Sequence, residues 1–504
     1  MAALFHPRRG GSLPVGAVPR RLLLCGIAAL ALGLGGASPS TAAAEPSTRD
    51  RFEQAKHYYK RGLPREALQA LKPLLATQQG RENPKVQLLA AQLYRDRGEI
   101  DLAFRAVSKA REFGSATDKE EADQLYKALT RAFGEVRILP QGGVHVKGRI
   151  FLDTAEEFIN VERKNTFKAV QRSLLVRPRQ YPDSIWIPYG EYRANGVAFR
   201  HEQGGRSEAV VPFPQIAILR SASGLDDKEL IGAFRTRVGG VTTVYTLEGD
   251  ADRVAALVDT IRGKKPDLLV AFGRGAALVG RRELRKVPLL FGLFGGNPLG
   301  NDLPGAAELA GVSSLQAPGE IVKWIRTLVP RVRRVGVLYD PQRSTPLFAT
   351  VRDALEAAGL TPIAAEVRRT AELGATLALH RARVDVWWTL GDVPLASPEA
   401  FQQLVAEQLG AGKPLVAGTA SQAAQGAFLA VEGDPKTVGI QLSNQARRLL
   451  CDKVAASEIG IEPPQQLAVH LNRAVAEKLS LLPAAEVQQR LTKLHDRLPA
   501  GATE

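Results

Sequence analysis

Cysteine is nearly absent. The 504 residues hold two, Cys25 and Cys451, and Cys25 lies in an N-terminal stretch that reads as a removable leader. Cys451 alone cannot form a disulfide within the chain, so stability must come from packed cores large enough to do without one. Aromatic residues make up 6%, too few for a surface that stacks nucleic-acid bases. Long blocks of one charge sign are missing as well. No G-x-x-x-x-G-K-[ST] loop, no G-x-S-x-G elbow and no spaced Cys/His set occurs. That leaves no signature of nucleotide hydrolysis, serine-type hydrolysis or a zinc site. The phrase "GRGAALVG" (273–280) spaces its glycines unlike a dinucleotide loop and lacks the acidic ribose contact. The seven histidines are scattered, and only His380 falls between residues 215 and 469. An enzyme, a cofactor, a metal and a nucleic-acid partner are therefore not expected.

The one long apolar run, Leu22 to Ala37, is short for a membrane span. Arg8, Arg9, Arg20 and Arg21 precede it and "TAAAEP" follows, the pattern of a secretory signal cut after Ala44, residues 1–44. An uncleaved anchor is the alternative. Cys25 sits near the start of the run, whereas a lipidation cysteine would lie at its end, so no lipid anchor is expected. Loss of residues 1–44 removes four arginines and no acid, taking the net charge from +15 to +11. A basic surface spread in this way suits anionic lipid or cell-wall polymer. The periplasm or cell envelope is the expected location.

Residues 45–134 read as helical. "HYYKRGLPREALQALKPLL" and "QLYRDRGEIDLAFRAVSKA" align with Tyr58 on Tyr94, Gly62 on Gly98, Ala67 on Ala103 and Ala70 on Ala106. Small residues there let paired helices approach, and each glycine ends the first helix of its pair. The alignment resembles tetratricopeptide repeats. From Gly134 the period changes to alternation, in "EVRILP", "GGVHVKGRIFLD", "AVQRSLLVRP", "SIWIPYGEYRANGVAFR" and "SEAVVPF". A small β-sandwich over residues 135–213 is the expectation. Its phrase "IPYGEYRANGVAF" resembles the signature of surface-layer-associated β-domains of the PEGA type.

From Gln215 onward, apolar strands such as "QIAILR", "DLLVAFG", "VPLLFGLF", "VRRVGVLY", "VDVWWTLGD" and "KPLVAG" alternate with amphipathic helices such as "ADRVAALVDTIRGK". Continuous apolar strands between helices imply parallel sheets covered on both faces. "IAILRSAS" and "VGVLYDPQ" repeat one strand-then-polar-loop phrase, which predicts two similar lobes with ligand-holding loops at their strand ends. The expected class is multidomain α/β: lobe one at about 214–329, lobe two at about 330–430, crossovers and helices to 485, and a tail over 486–504.

The phrases "KPDLLVAFGRGAA", "LAGVSS", "LVPRVRRVGVLYDPQRS", "VDVWWTLGD" and "KPLVAGTASQAAQGAFLAVEGDPKTVGIQLSNQARRLL" occur in an order similar to the ABC-transporter substrate-binding family with the type I periplasmic-binding fold. That resemblance implies two Rossmann-like lobes closing on a small polar solute, an amino acid or a relative, and an ABC permease as partner. Lobe one offers Ser221, Ser223, Gly273, Arg274, Gly275 and Asn297. Arg274 would pair with a solute carboxylate or merely cap the cleft rim. Lobe two offers Tyr339, Gln342, Ser344, Thr345, Asp392, Thr419 and Ser421. Asp392 would hold a solute ammonium or cap the next helix, and Asp340 reads as turn chemistry. Trp387 and Trp388 read as core. A second function stays open, an envelope scaffold or sensor recruiting protein or cell-wall partners through residues 45–213. Helical repeats followed by a type I binding domain are similar in order to lipoprotein activators of peptidoglycan synthases.

Overall fold

The computed structural model describes residues 47–154, 161–203, 207–221, 228–248, 251–294, 308–313, 318–391 and 397–498. The signal-peptide reading and the candidate residues Ser223, Asn297 and Asp392 lie outside them. Among the described residues no helix is long and apolar enough to cross a membrane.

The chain begins with helices α1 (Thr48–Lys60), α2 (Pro64–Ala76), α3 (Gln78–Glu82), α4 (Pro84–Asp96), α5 (Ile100–Phe113) and α6 (Ala116–Ala132). α1 packs on α2 and α4 on α5. Each pair turns through its glycine, Gly62 at φ +71° and Gly98 at φ +73°. The capping bonds are the same in both. Gly62 N donates to Tyr59 O and Leu63 N to Tyr58 O, while Gly98 N donates to Arg95 O and Glu99 N to Tyr94 O. This is the left-handed glycine cap with crossed hydrogen bonds. Ala67 and Ala103 are both fully buried at the seams.

Next come β1 (Phe133–Pro140), β2 (Val146–Gly148), β3 (Leu152–Asp153), α7 (Val161–Val176), β4 (Arg179–Tyr181), β5 (Asp183–Pro188), β6 (Gly190–Ala194), β7 (Val197–His201) and β8 (Ser207–Val211). They form three small sheets, ordered β5–β1–β8, β2–β4 and β3–β6–β7. The expected β-sandwich is thus corrected in one segment: most of "AVQRSLLVRP" is helix α7, not strand. Phe167, Val170 and Leu174 are buried at helical spacing, a stripe that alternation with charged neighbours disguised.

Lobe one contains β9 (Gln215–Arg220), α8 (Lys228–Arg235), β10 (Val241–Thr246), α9 (Ala251–Gly263), β11 (Leu268–Phe272), α10 (Arg274–Glu283), β12 (Leu289–Phe294) and β13 (Ala310–Ser313), and α11 (Pro318–Leu328) leads out of it. Lobe two contains β14 (Arg334–Tyr339), α12 (Thr345–Ala357), β15 (Thr361–Glu366), α13 (Leu373–His380), β16 (Val386–Thr389), α14 (Pro398–Gly410), β17 (Leu415–Ala417), α15 (Ala420–Ala424) and β18 (Leu429–Gly433). α16 (Pro435–Leu450) then returns to lobe one, packing on α8, and β19 (Ile461–Glu462) joins that lobe's sheet. β20 (Leu467–Asn472) and β21 (Lys493–His495) complete lobe two. The sheets run β10–β9–β11–β12–β13–β19 and β15–β14–β16–β17–β18–β20–β21. Every pair is parallel except β18 with β20.

The expected tail over 486–504 is corrected too. β21 pairs with β20, Thr492 N donates to Val469 O at 2.8 Å, and Asn472 Nδ2 donates to Arg497 O at 2.9 Å. Near this strand a chain of polar groups runs inward. His495 Nε2 lies 3.4 Å from His470 Nδ1, and His470 Nε2 lies 3.5 Å from Glu432 Oε1. Burial first, and then His470 beside it, hold the His495 pKa below the usual imidazole value. Burial does the same to His201.

Two predictions follow from these local features. At Gly62 an added Cβ meets nothing within 4 Å, whereas at Gly98 it comes within 2.3 Å of the α7 backbone at Ala169 and Val170. Gly62→Ala should cost about 1–2 kcal/mol, the left-handed backbone strain alone. Gly98→Ala should cost clearly more in denaturant unfolding, and equal losses would refute the contact of the α4–α5 turn with α7. The second concerns acid. A histidine whose folded pKa is depressed holds its stability contribution above the unfolded value of about 6.5 and loses it as pH falls through the folded value. Melting temperature should therefore be flat from about pH 8 to 7 and fall below about 6.5. His495→Gln should shallow that fall, and an unaltered slope would count against it.

Candidate functional site

Both lobes carry the same inner order. Numbered within each lobe, the first five strands lie 2-1-3-4-5 across the sheet. In such a sheet the crossover helices after strands one and three cover opposite faces, so the loops leaving those strands diverge and open a crevice. In lobe one these loops follow β9 and β11. In lobe two they follow β14 and β16.

The lobe-one loops carry Ser221 and Gly273–Gly275, and the structure brings them together. Gly273, at φ +84°, is the residue before α10 and offers that helix no side-chain cap. Ser221 supplies it from the neighbouring strand: its Oγ accepts from Ala276 N at 3.0 Å, and its own N–H donates to Phe272 O at 3.0 Å. Gly275 keeps the approach close, since a Cβ there would stand 3.2 Å from Ser221 Oγ. The helix start presents N–H donors and the positive end of its dipole, with the half-buried Arg274 as its first residue. An anionic group fits this corner.

Lobe two's first loop is a tightly bonded turn. Tyr339 stacks on Phe348 with ring centroids 4.4 Å apart, and its hydroxyl reaches Glu366 Oε1 at 3.5 Å. Burial first, then Glu366, push the Tyr339 pKa up. Asp340 is buried, accepts from Gln342 N at 2.9 Å and faces Arg343 Nε at 3.4 Å. Ser344 is fully buried, its N–H donating to Asp340 O and its carbonyl accepting from Phe348 N. Thr345 Oγ1 turns back to Pro341 O at 2.7 Å. Of this group, Gln342 exposes its side chain without a bond to the turn's own carbonyls. Ser344 is placed to shape the loop, whereas Gln342 and Thr345 sit on its exposed rim.

Thr419 and Ser421 lie on a third loop, after β17. Thr419 caps α15 by accepting from Gln422 N, and Ser421 Oγ accepts from Gln425 Nε2 at 3.0 Å. Ala420 N donates to Glu432 Oε2 at 3.0 Å, and Gly418 N donates to Gln422 Oε1 at 3.1 Å. Protein oxygens already occupy this helix start, so it has little left to offer an anion. Two residues missed by the sequence reading belong to the same rim. Glu432 is the penultimate residue of β18 and opens the phrase "EGDP", a carboxylate near a strand end and therefore visible in principle. Thr389 is buried at the end of β16, its Oγ1 accepting from Gly391 N at 3.3 Å. Trp387 and Trp388 are buried in the sheet core.

Among the described residues no group of three or more metal-ligating side chains occurs. Lobe one thus ends in a cation and a helix start, and lobe two's loops hold Asp340 with its partner Arg343, Glu432 and several hydroxyls.

Residues 241–494 match the family model described as ABC transporter substrate binding protein. No curated protein matches the chain. Among solved structures, the ABC domain in complex with L-Trp from Streptococcus pneumonia is 20% identical, with 55% of this chain and 99% of that chain covered and a TM-score of 0.45. A conserved domain protein from Vibrio cholerae is 19% identical, covering 56% of this chain and 99% of its own, with a TM-score of 0.44. The open, ligand-free CD0873 from Clostridium difficile, a substrate binding protein with adhesive properties, is 13% identical, covering 56% and 100%, with a TM-score of 0.46. The family-model match spans half of the residues, from the start of β10 to β21, and on it the chain belongs to the ABC transporter substrate-binding protein family.

Proposed function

We propose that this protein is an exported solute-binding component of an ABC-type importer, capturing an amino acid or a similar small polar solute between its lobes. The observation that carries the proposal is the repeated 2-1-3-4-5 strand order, which opens a crevice at equivalent loops of both lobes. The solute carboxylate would meet Arg274 and the start of α10, and its ammonium the acidic rim of lobe two. Because it touches both lobes only when they close, it shifts the population toward the closed form, which an ABC permease would engage. Residues 1–44 would direct the chain to the periplasm or cell envelope. No chemical conversion of the solute is part of the proposal.

A second reading rests on the 167 residues from 47 to 213 that precede the lobes. The paired helices, as tetratricopeptide-like repeats, and the small sheets, as a PEGA-like module, would recruit envelope proteins or cell-wall polymer, with the lobes as a sensor.

The test is calorimetric titration and thermal unfolding of the full chain with a panel of amino acids, purines and small carboxylates. One chemical class should bind, and at about 100 times its dissociation constant it should stabilise the lobes by about 2.7 kcal/mol. Arg274→Ala should weaken that binding about tenfold, the worth of one charged hydrogen bond. No binder across the panel would favour the sensor-scaffold reading. A binder indifferent to Arg274→Ala would move the carboxylate elsewhere.

A further inference from the structure

A groove of about 880 Å³ lies away from the lobes, between α5 and the outer face of the β5–β1 pair. It is an open trough rather than a closed chamber, and its volume is at the upper end for small-molecule sites. Its lining on α5 extends from Asp101 to Lys109, about 12 Å of helix at 1.5 Å per residue. An extended peptide rising about 3.3 Å per residue would lay roughly four residues along it.

The floor is aromatic. Phe104 and Trp186 pack with centroids 4.0 Å apart, and Tyr126 meets Phe104 edge-on at 5.5 Å. Trp186 reaches the groove because β5 alternates, with Ile185 and Ile187 buried on its other side. The lining's four cations, Arg81, Arg105, Lys109 and Arg179, outnumber its three carboxylates, Asp101, Glu135 and Asp183. Arg179 lies between Asp183 at 2.9 Å and Asp101 at 3.6 Å and shares its single positive charge between them. Arg81, Arg105, Lys109 and Glu135 remain, and none of them forms an ion pair among the described residues. Arg105 and Lys109 stand one helical turn apart, where like charges repel. A bound carboxylate would relieve that repulsion.

We infer that this groove docks an extended acidic peptide segment of a partner protein, its carboxylates on Arg105, Lys109 and Arg81 and its apolar side chains over Phe104 and Trp186. A neutral sugar fits less well. Of the planar amide and carboxylate groups that would read its hydroxyls only Glu135 is uncommitted, since Gln87 donates to Gly80 O at 3.1 Å and the two aspartates face Arg179. An anionic glycan would satisfy the cations and could lay a ring face on Trp186, but Glu135 alone would be left to read its hydroxyls.

The experiment is fluorescence anisotropy on the full chain with three fluorescein-labelled hexapeptides, alternating Glu with Leu, Glu with Ser, and Lys with Leu. The Glu-Leu peptide should bind best and weaken between about 0.05 and 0.5 M salt, as screening shortens the reach of the cations. The double variant Arg105→Glu, Lys109→Glu alters an exposed and a half-buried side chain, and circular dichroism verifies its fold. It should weaken Glu-Leu binding about tenfold or more and bind Lys-Leu in its place. Equal affinity for Glu-Ser would reduce the effect to ion exchange and overturn the inference. So would binding indifferent to the double variant, absence of binding by any peptide, or displacement by a sulfated oligosaccharide at lower concentration than by unlabelled Glu-Leu. Solute titration of the same variant should be unchanged, which separates failure here from failure of the solute-binding reading.

Discussion

Two adjacent parallel strands cannot be joined by a hairpin, because the chain must travel back along the sheet before it can run in the same direction again. Each lobe is built under that constraint, and most of what matters here follows from it. Every crossover lays a helix on one face of its sheet, so the strands are buried on both sides and their sequences become nearly continuous apolar runs. Polar residues are driven to the strand ends. Where the direction of crossing reverses, between β9 and β11 and again between β14 and β16, the polar ends separate, and room for a ligand appears without any cavity having to be carved from the core.

The same constraint explains the places where the lobes are tied together. α16 leaves β18 in lobe two yet packs on α8 in lobe one, and β20 returns to lobe two directly after β19. The two crossings touch. Asp434 N donates to Gln466 O at 2.9 Å, and a Cβ on Gly433 would come within 2.9 Å of Pro464. Gln441, buried on α16, donates to Glu462 Oε2 and Pro463 O and accepts from Gln465 N. These hydrogen bonds run between the crossing segments rather than between the lobe faces, so they would stay paired in the rotation that the proposed capture requires. The prolines restrict the backbone at the same point.

Strand positions were legible because burial on both faces leaves an uninterrupted signal, and β9, β11, β12, β14, β16 and β17 fall where the apolar runs lie. The glycine caps at Gly62 and Gly98 were legible for a different reason: the left-handed conformation selects one residue type. Both corrections concern weaker signals. α7 presents a short stripe amid lysines and arginines, and β21 is three residues long, recruited by β20 rather than by its own composition. The candidate site was legible as a set of loops, not as a set of contacts. Ser221 reads as a ligand hydroxyl, and the structure uses it to cap a neighbouring helix. Ser344 reads likewise, and it is buried inside its turn. Strand-end polar residues serve the loop first, because an uncapped helix start or an unpaired turn carbonyl is costly inside the protein. What reaches a solute is what remains.

The attachment of the N-terminal region decides how its groove would move. Arg149 and Gly240 exchange backbone hydrogen bonds at 3.0 and 2.8 Å, joining the segment before β3 to the strand end before β10. Asn195, held at φ +46°, accepts from Phe151 N at 2.8 Å and donates to Pro212 O at 2.8 Å. The guanidinium of Arg447, on α16, lies 3.9 Å from the centre of the Phe151 ring. The Arg149–Gly240 and Arg447–Phe151 contacts fall on lobe one or on the helix that covers it, while Asn195 braces the N-terminal side of the junction. If the lobes rotate on binding a solute, as proposed, these contacts would keep lobe one and the N-terminal region together while lobe two moved against them. A partner held at α5 would be carried on the body that bears Arg274, and solute capture would present lobe two to it at a new angle. Coupling between the sites would come from that shared frame and requires no change inside the groove.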